Sequence, residues 1–249
     1  MANESTCIVM TLCSRPKYTR QVLEALARCD GIETFAVAFF VEPVDQEVID
    51  LAVRFRGPEC VLVGSNRVGC NCNTYAALAW GFDHHDKVIA MEDDTVPGRD
   101  FLRFMSWGLR EYERDRSVFS ICGYQKTPAD EVGYRNAVIR EQWFTPWGWA
   151  TWRDRWHSIR ASWPRYDHQV SWDTVIDKFT RAGRYEVRPM LARIQNIGAD
   201  GGTHVPNAAW HAHHHLNRHW IETEPGARVD EWVEIPNTAT KALRAAAPC

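Results

Sequence analysis

The 249 residues carry 29 Lys and Arg against 32 Asp and Glu, a formal net charge of -3, and no long basic run, which argues against a nucleic-acid-binding surface. Hydrophobic residues make up 45%, enough for a substantial core in one large domain and too many for a disordered chain. No apolar stretch reaches the roughly 18 residues of a membrane span, and the opening MANESTCIVM lacks the basic-then-apolar order of a secretory signal.

A cytoplasmic protein without an anchor is therefore expected, with its eight cysteines as thiols. Cys70 and Cys72 form a C-x-C pair with no second pair at zinc-finger spacing.

Taken in chain order, residues 6–13 (TCIVMTLC) read as a short buried strand, and 18–29 have apolar residues at helical spacing. A strand at 35–42 (FAVAFFVE) precedes a helix at 43–55, with Val48, Leu51, Ala52 and Phe55 on one face. A strand at 59–64, a helix at 71–82, a strand at 87–91, a helix at 100–113 and a strand over SVFSICGY (117–124) complete the first half. The strands are apolar on both faces, as in a parallel sheet covered by helices on both sides, so an α/β layered fold is predicted.

One domain is expected, comprising a regular half (6–122), a less regular half rich in Trp, Arg and Pro (123–235) and a loosely ordered tail (236–249). Oligomeric state is not legible.

In such sheets, ligands bind beyond the carboxyl ends of the strands. Four polar clusters fall there: Ser14-Arg15, Glu42, Asn66-Arg67 and Glu92-Asp93-Asp94. The bland reading of EDD is a solvated acidic turn that caps the next helix. Against it, three adjacent carboxylates repel one another, and a Mg²⁺ or Mn²⁺ ion shared with a diphosphate would relieve that. The Gly64 to Gly69 spacing matches a P-loop, but Cys70 and Asn71 stand where Lys and Ser/Thr are needed. A dinucleotide fingerprint after the first strand is also missing.

With SRP after the first strand, NRVGCNCN before a helix and EDD at a strand end, the chain resembles a GT-A type glycosyltransferase. Trp163-Pro164, Ser171-Trp172-Asp173, Val187-Arg188-Pro189 and a Gly-rich turn to His204 resemble N-acetylglucosaminyltransferase I in order and spacing. FTPWGWATWRDRW (144–156) is similar to a stretch of small bacterial glycosyltransferases. The resemblance spans roughly residues 6 to 215, and its strength lies in the order of the motifs.

It implies a mostly parallel sheet flanked by helices, with a smaller irregular acceptor-side lobe. It also implies metal-dependent, inverting transfer of a sugar from a UDP-sugar, UDP-N-acetylglucosamine being one candidate, to a hydroxyl of a glycan or other glycoconjugate. Asp94 would bind the metal, Asp93 the ribose or sugar, and Glu92 the nucleotide side. Thr11, Ser14, Arg15 and Glu42 would hold the base and ribose, and Asn66 and Arg67 the nucleotide or its phosphates. Asp173 would be the general base, against the plainer reading that Ser171 or Asp173 caps the following helix. Asp154 and Glu141 are the competing carboxylates.

His204 would approach the metal or diphosphate. Trp147, Gly148 and Trp149 would line a sugar pocket, whereas Trp152 and Trp156, at i and i+4, read as core. The His-rich stretch 211–219 reads as a solvated helix face. Two other functions fit parts of the pattern. A nucleotidyltransferase acting on sugar phosphates is disfavoured because SRPKYTR has no glycine; a non-catalytic carbohydrate binder would not need both Asp94 and Asp173.

Overall fold

The computed structural model describes residues 6–125, 135–167, 169–200, 205–216, 220–223 and 230–236. In the first half, strands and helices alternate: β1 (Thr6–Leu12), α1 (Pro16–Leu26), β2 (Ala36–Val41), α2 (Gln46–Arg56), β3 (Val61–Val63), α3 (Cys70–His84), β4 (Lys87–Glu92), β5 (Thr95–Pro97), α4 (Phe101–Glu111) and β6 (Val118–Cys122). Helix α1 starts two residues earlier than its apolar periodicity indicates, because Pro16 fits the first helical turn, where its missing N–H costs nothing.

Strand β1 runs parallel to β2 on one side and to β4 on the other, with Thr11 opposite Glu92. Their side chains are buried on both faces, which is why these strands read as unbroken apolar runs. Helix α3 lies so close to this sheet at Gly81 that a Cβ there would meet Val88 Cγ2 at 2.8 Å and Val9 Cγ1 at 3.2 Å.

The second half departs from the expectation of an irregular lobe. It supplies β7 (Ala137–Glu141), β8 (Trp149–Trp152), β9 (Tyr185–Pro189) and β11 (Val233–Glu234) to the same sheet, and β10 (Ile194–Asn196) to a small antiparallel pair with β5. The nine-stranded order is β11-β7-β9-β6-β8-β4-β1-β2-β3, mostly parallel, with β8 antiparallel to both β4 and β6 and β7 antiparallel to β9.

Strand β9 escapes a hydrophobicity reading because it carries Glu186 and Arg188, each 1% exposed. The two pair at 2.6 Å, and Glu186 also accepts from Ser120 Oγ at 2.8 Å and Thr145 N at 3.1 Å. A buried charge pair supplied with such hydrogen bonds is tolerated in a core.

Helices α5 (Arg153–Ile159), α6 (Trp172–Val175) and α7 (Ala208–His214) lie in this half, and α6 runs directly into a π-helical turn, Ile176–Thr180. Trp152 and Trp156 are core residues, 2% and 1% exposed, as their spacing indicated. All seven described cysteines are free thiols. Among the described residues no helix is long and apolar enough to cross a membrane. The tail beyond residue 236 lies outside the described residues.

Candidate functional site

Strand β4 ends at Glu92 and the chain turns at once into β5. Thr95 closes the turn, its Oγ1 accepting from Glu92 N at 3.1 Å and donating to Glu92 O at 2.9 Å. That geometry folds Asp93 and Asp94 inward, leaving them 4% and 7% exposed. Arg15 follows the parallel neighbour β1 and so arrives at the same place. Its Nη2 meets Asp94 Oδ2 at 2.8 Å and also pairs with Asp93 Oδ1. The carboxylates and the arginine that the strand-end rule brought to one rim do meet there.

Burial pushes the Asp94 carboxyl up to about 6, against the opposing pull of Arg15 and with the added repulsion of Asp93. Burial, then the charges of Asp94, Asp93 and Asp173, push Glu92 well above the ordinary carboxylate range. Glu92 closes β4 at the edge of the site. Beneath it lies a void of about 10 Å³, whose walls include Thr11, Thr74, Trp149 and Trp172.

Asp173, in the first turn of α6, is within electrostatic range of Glu92. Ser171 donates its hydroxyl to Asp173 Oδ1 in a short hydrogen bond. What brings this segment in is Asn71, near the start of α3. Its Nδ2 lies 3.0, 2.7 and 2.8 Å from the carbonyls of Pro164, Asp167 and Val170, and its Oδ1 accepts from Trp172 N at 3.2 Å. The Asn71 carbonyl accepts from Trp163 Nε1 at 2.9 Å. One buried asparagine thus clips the segment from Trp163 to Trp172 to the start of α3. Of the competing carboxylates, Asp154 is engaged with Arg116 and with Arg155, and Glu141 is buried on β7.

Other predicted residues fall differently. Glu42 is 4% exposed, and its carboxylate accepts from Val68 N at 3.0 Å and Gly69 N at 2.8 Å. It holds the loop before α3 rather than presenting a free carboxylate. Asn66 and Arg67 lie exposed on that loop, Ser14 is exposed, and Thr11 is partly buried beside Glu92.

Trp149 corrects the sugar-pocket expectation. At 1% exposure it is packed by Phe119, Phe144 and Trp172, so neither ring face is open to a sugar. Gly148 is also structural: its φ of +62° and the closeness of Ile194 Cδ1 leave no place for a side chain. Trp147 is only half-buried, edge-on to Tyr124 and His215 with centroids 4.7 and 4.5 Å away.

His204 lies outside the described residues, as does His219. The expectation that the histidine run is a solvated face holds for His213 and fails for His211, which is 1% exposed. His211 Nε2 and Asn196 Oδ1 lie 2.9 Å apart, and Asn196 Nδ2 donates to Asp94 Oδ1 at 3.3 Å. Asn71, Asn196 and His211 were all missed as site residues. Asn71 stands in NRVGCNCN and Asn196 begins the NIG at the end of β10, but nothing local marks which asparagine is buried.

The donor set can be tested against a divalent cation. Asp93, through both oxygens, and Asp94, through Oδ2, turn toward a single cationic group, Arg15. Among the described residues no group of three or more His, Cys, Asp or Glu side chains is arranged to hold a metal. Two carboxylates with no protein cage suit Mg²⁺ or Mn²⁺, which keep waters and take phosphate oxygens. They do not suit an ion enclosed by protein ligands alone.

No family model matches the chain, and no curated protein matches its sequence. Solved structures do. A mannosyltransferase from Pyrobaculum calidifontis, in complex with GDP-Man and Mn²⁺, superposes with a TM-score of 0.51 at 13% identity over 74% of this chain. TarS residues 1–349 from S. aureus, in complex with UDP-GlcNAc, give 0.52 at 11% identity over 76%. A second TarS structure gives 0.53 at 10% identity, also over 76%.

The chain has a GT-A glycosyltransferase fold.

It spans 54% and 57% of the first two of those chains and 36% of the third. Within the GT-A fold, the acid turn after β4 stands at the carboxyl rim of the parallel strands, where such sheets take their ligands.

Proposed function

We propose that this chain is a metal-dependent, inverting glycosyltransferase that moves a sugar from a UDP-sugar to an acceptor hydroxyl on a carbohydrate or glycoconjugate. The observation that carries the reading is the meeting of distant segments: Arg15 paired with the buried Asp93 and Asp94 after β4, and Asp173 within electrostatic range of Glu92 at the end of β4. Neighbours of the same fold bind GDP-Man with Mn²⁺ and UDP-GlcNAc, which supports a nucleotide-sugar donor.

Asp94 and Asp93 would hold a Mg²⁺ or Mn²⁺ ion, with His204 as a further candidate. Such an ion stabilises the charge that grows on a departing diphosphate. Arg15, already paired with both carboxylates, adds a fixed positive charge beside the phosphates. Glu92, at the end of β4, would face the nucleotide side of the donor. Asp173 takes the proton of the acceptor hydroxyl as that oxygen attacks the anomeric carbon from the face opposite the leaving group. The Ser171 hydroxyl fixes one oxygen of Asp173 and leaves the other for the acceptor. An inverting displacement needs this one base. Thr11, Ser14, Asn66 and Arg67 would border the nucleotide, and Trp147 the sugar.

Two measurements test this. Thermal stabilisation by UDP and GDP, with and without Mn²⁺, should be metal-dependent in the wild type and absent in Asp94→Ala. Nucleoside diphosphate release from UDP-sugars should fall ~10²–10⁴-fold in Asp173→Asn while that stabilisation persists. Pyrophosphate as the released product would instead identify a nucleotidyltransferase, and binding without turnover a carbohydrate-binding protein.

A further inference from the structure

The assignment of Asp94 leaves open what decides which of its oxygens faces a cation. Oδ2 points to Arg15; Oδ1 accepts from Asn196 Nδ2. Asn196 is brought beside the acid turn by strand pairing, since it lies opposite Thr95 in the β10–β5 ladder. The Ile197 amide, one residue on, donates to the Asp94 carbonyl at 2.8 Å. Gly198 completes the cradle: a Cβ there would run into Asp94 Oδ2.

The amide orientation of Asn196 is fixed by its partners. Gly198 N–H can only donate, and it donates to Asn196 Oδ1 at 3.1 Å. The opposite end must therefore be the NH₂ that meets Asp94. His211 Nε2 lies 2.9 Å from that same Oδ1, so it too must carry a hydrogen.

We propose that His211 is a positioning residue for Asp94: its Nε2–H locks the Asn196 side chain, which holds Asp94 Oδ1 and leaves Oδ2 turned toward the cation position. His211 itself is set by α7. Asn207 caps that helix by accepting from Trp210 N at 2.9 Å, and the next residue, His211, is turned inward to 1% exposure. The other ring nitrogen, Nδ1, is buried without a hydrogen-bond partner among the described residues. A charged imidazolium would leave a buried N–H unpaired there, so the ring is neutral, and burial lowers its pKa in the same sense. An outer-shell donor of this kind typically sets 10–100-fold of metal affinity.

The inference rests on the reading of Asp94 as a metal ligand, and the experiment separates the two. Mn²⁺ binding is followed by loss of the free-ion EPR signal, in saturating UDP, for wild type, His211→Phe and His211→Gln. Gln at 211 can place an amide N–H where Nε2 lies; Phe cannot. Binding is expected to weaken ~10–100-fold in His211→Phe and to recover most of the way in His211→Gln. Equal Mn²⁺ affinity in wild type and His211→Phe overturns the positioning role and leaves the site reading intact. A wild type that binds no Mn²⁺ with UDP overturns both.

A second measurement needs no folded Phe variant. In ¹⁵N-histidine-labelled wild-type protein at pH 7.5, the ring signals missing from His211→Gln should be those of a neutral Nε2–H tautomer. An Nδ1–H or doubly protonated ring would refute the relay.

Discussion

Replacing Arg15 with Gln removes the cation shared by Asp93 and Asp94, and the structure sets how large the effect is and how it varies with pH. The Asp94 carboxyl titrates at about 6 in the folded protein against an ordinary 3.8. A raised folded pKa means that the carboxyl favours folding fully at low pH and that this contribution is lost as pH rises through the folded value. At 1.36 kcal/mol per pH unit, holding Asp94 ionised in the folded state costs about 3 kcal/mol above pH 6.

Without Arg15 the value rises further, and at pH 7 the carboxyl keeps its proton rather than standing ionised and unpaired. The proton therefore caps the loss: on the order of 1 kcal/mol at pH 7, about 3 kcal/mol at pH 8, and close to nothing from Asp94 below about pH 5.5. The lost hydrogen bonds to Asp93 add a roughly constant ~1.5–3 kcal/mol. Urea midpoints of wild type and Arg15→Gln at pH 5.5, 7 and 8, in EDTA, measure this. A difference in stability that is flat with pH, or that shrinks as pH rises, would refute the reasoning.

Further outcomes follow from the same site. Glu92→Gln removes a carboxyl whose pKa burial raises, so its advantage in Tm over wild type should grow from pH 5 toward pH 9, because wild-type stability falls as pH rises through the raised Glu92 value. A Tm for the variant that drops progressively below wild type over that range would contradict the assignment. Asn71→Ala strands a buried carbonyl cluster and the Trp172 amide; a loss of ~2–4 kcal/mol in urea unfolding is expected, with turnover falling further than UDP binding. Trp149→Ala should act as a core deletion, costing ~3–5 kcal/mol with an unchanged KM for whatever acceptor is identified.

The first half of the fold was legible because β1, β2 and β4 are buried on both faces and read as apolar runs. β9 was not, since Glu186 and Arg188 cancel inside the core and look like a polar loop in the sequence. The acid turn and Arg15 were legible for a local reason: each directly follows a strand whose end could be located. Asp173 required the order of the surrounding motifs. Asn71, Asn196 and His211 were illegible because their roles exist only across long separations, such as the 102 residues between Asn196 and Asp94. No periodicity marks a buried amide, and a run of histidines on a short helix looks solvated until one is seen to turn inward.

The place of β8 in the sheet has a consequence for how the chain comes off the ribosome. β4 and β6 are close in sequence but are not partners; β8, made some thirty residues later, stands between them and pairs with both. Until Trp152 has emerged, the nascent segment up to Cys122 has a missing slat in its sheet and two exposed strand edges, the kind of surface that invites pairing with other chains. A premature stop between these strands would release a fragment with its middle open, because the two halves named from the sequence both contribute strands to one sheet.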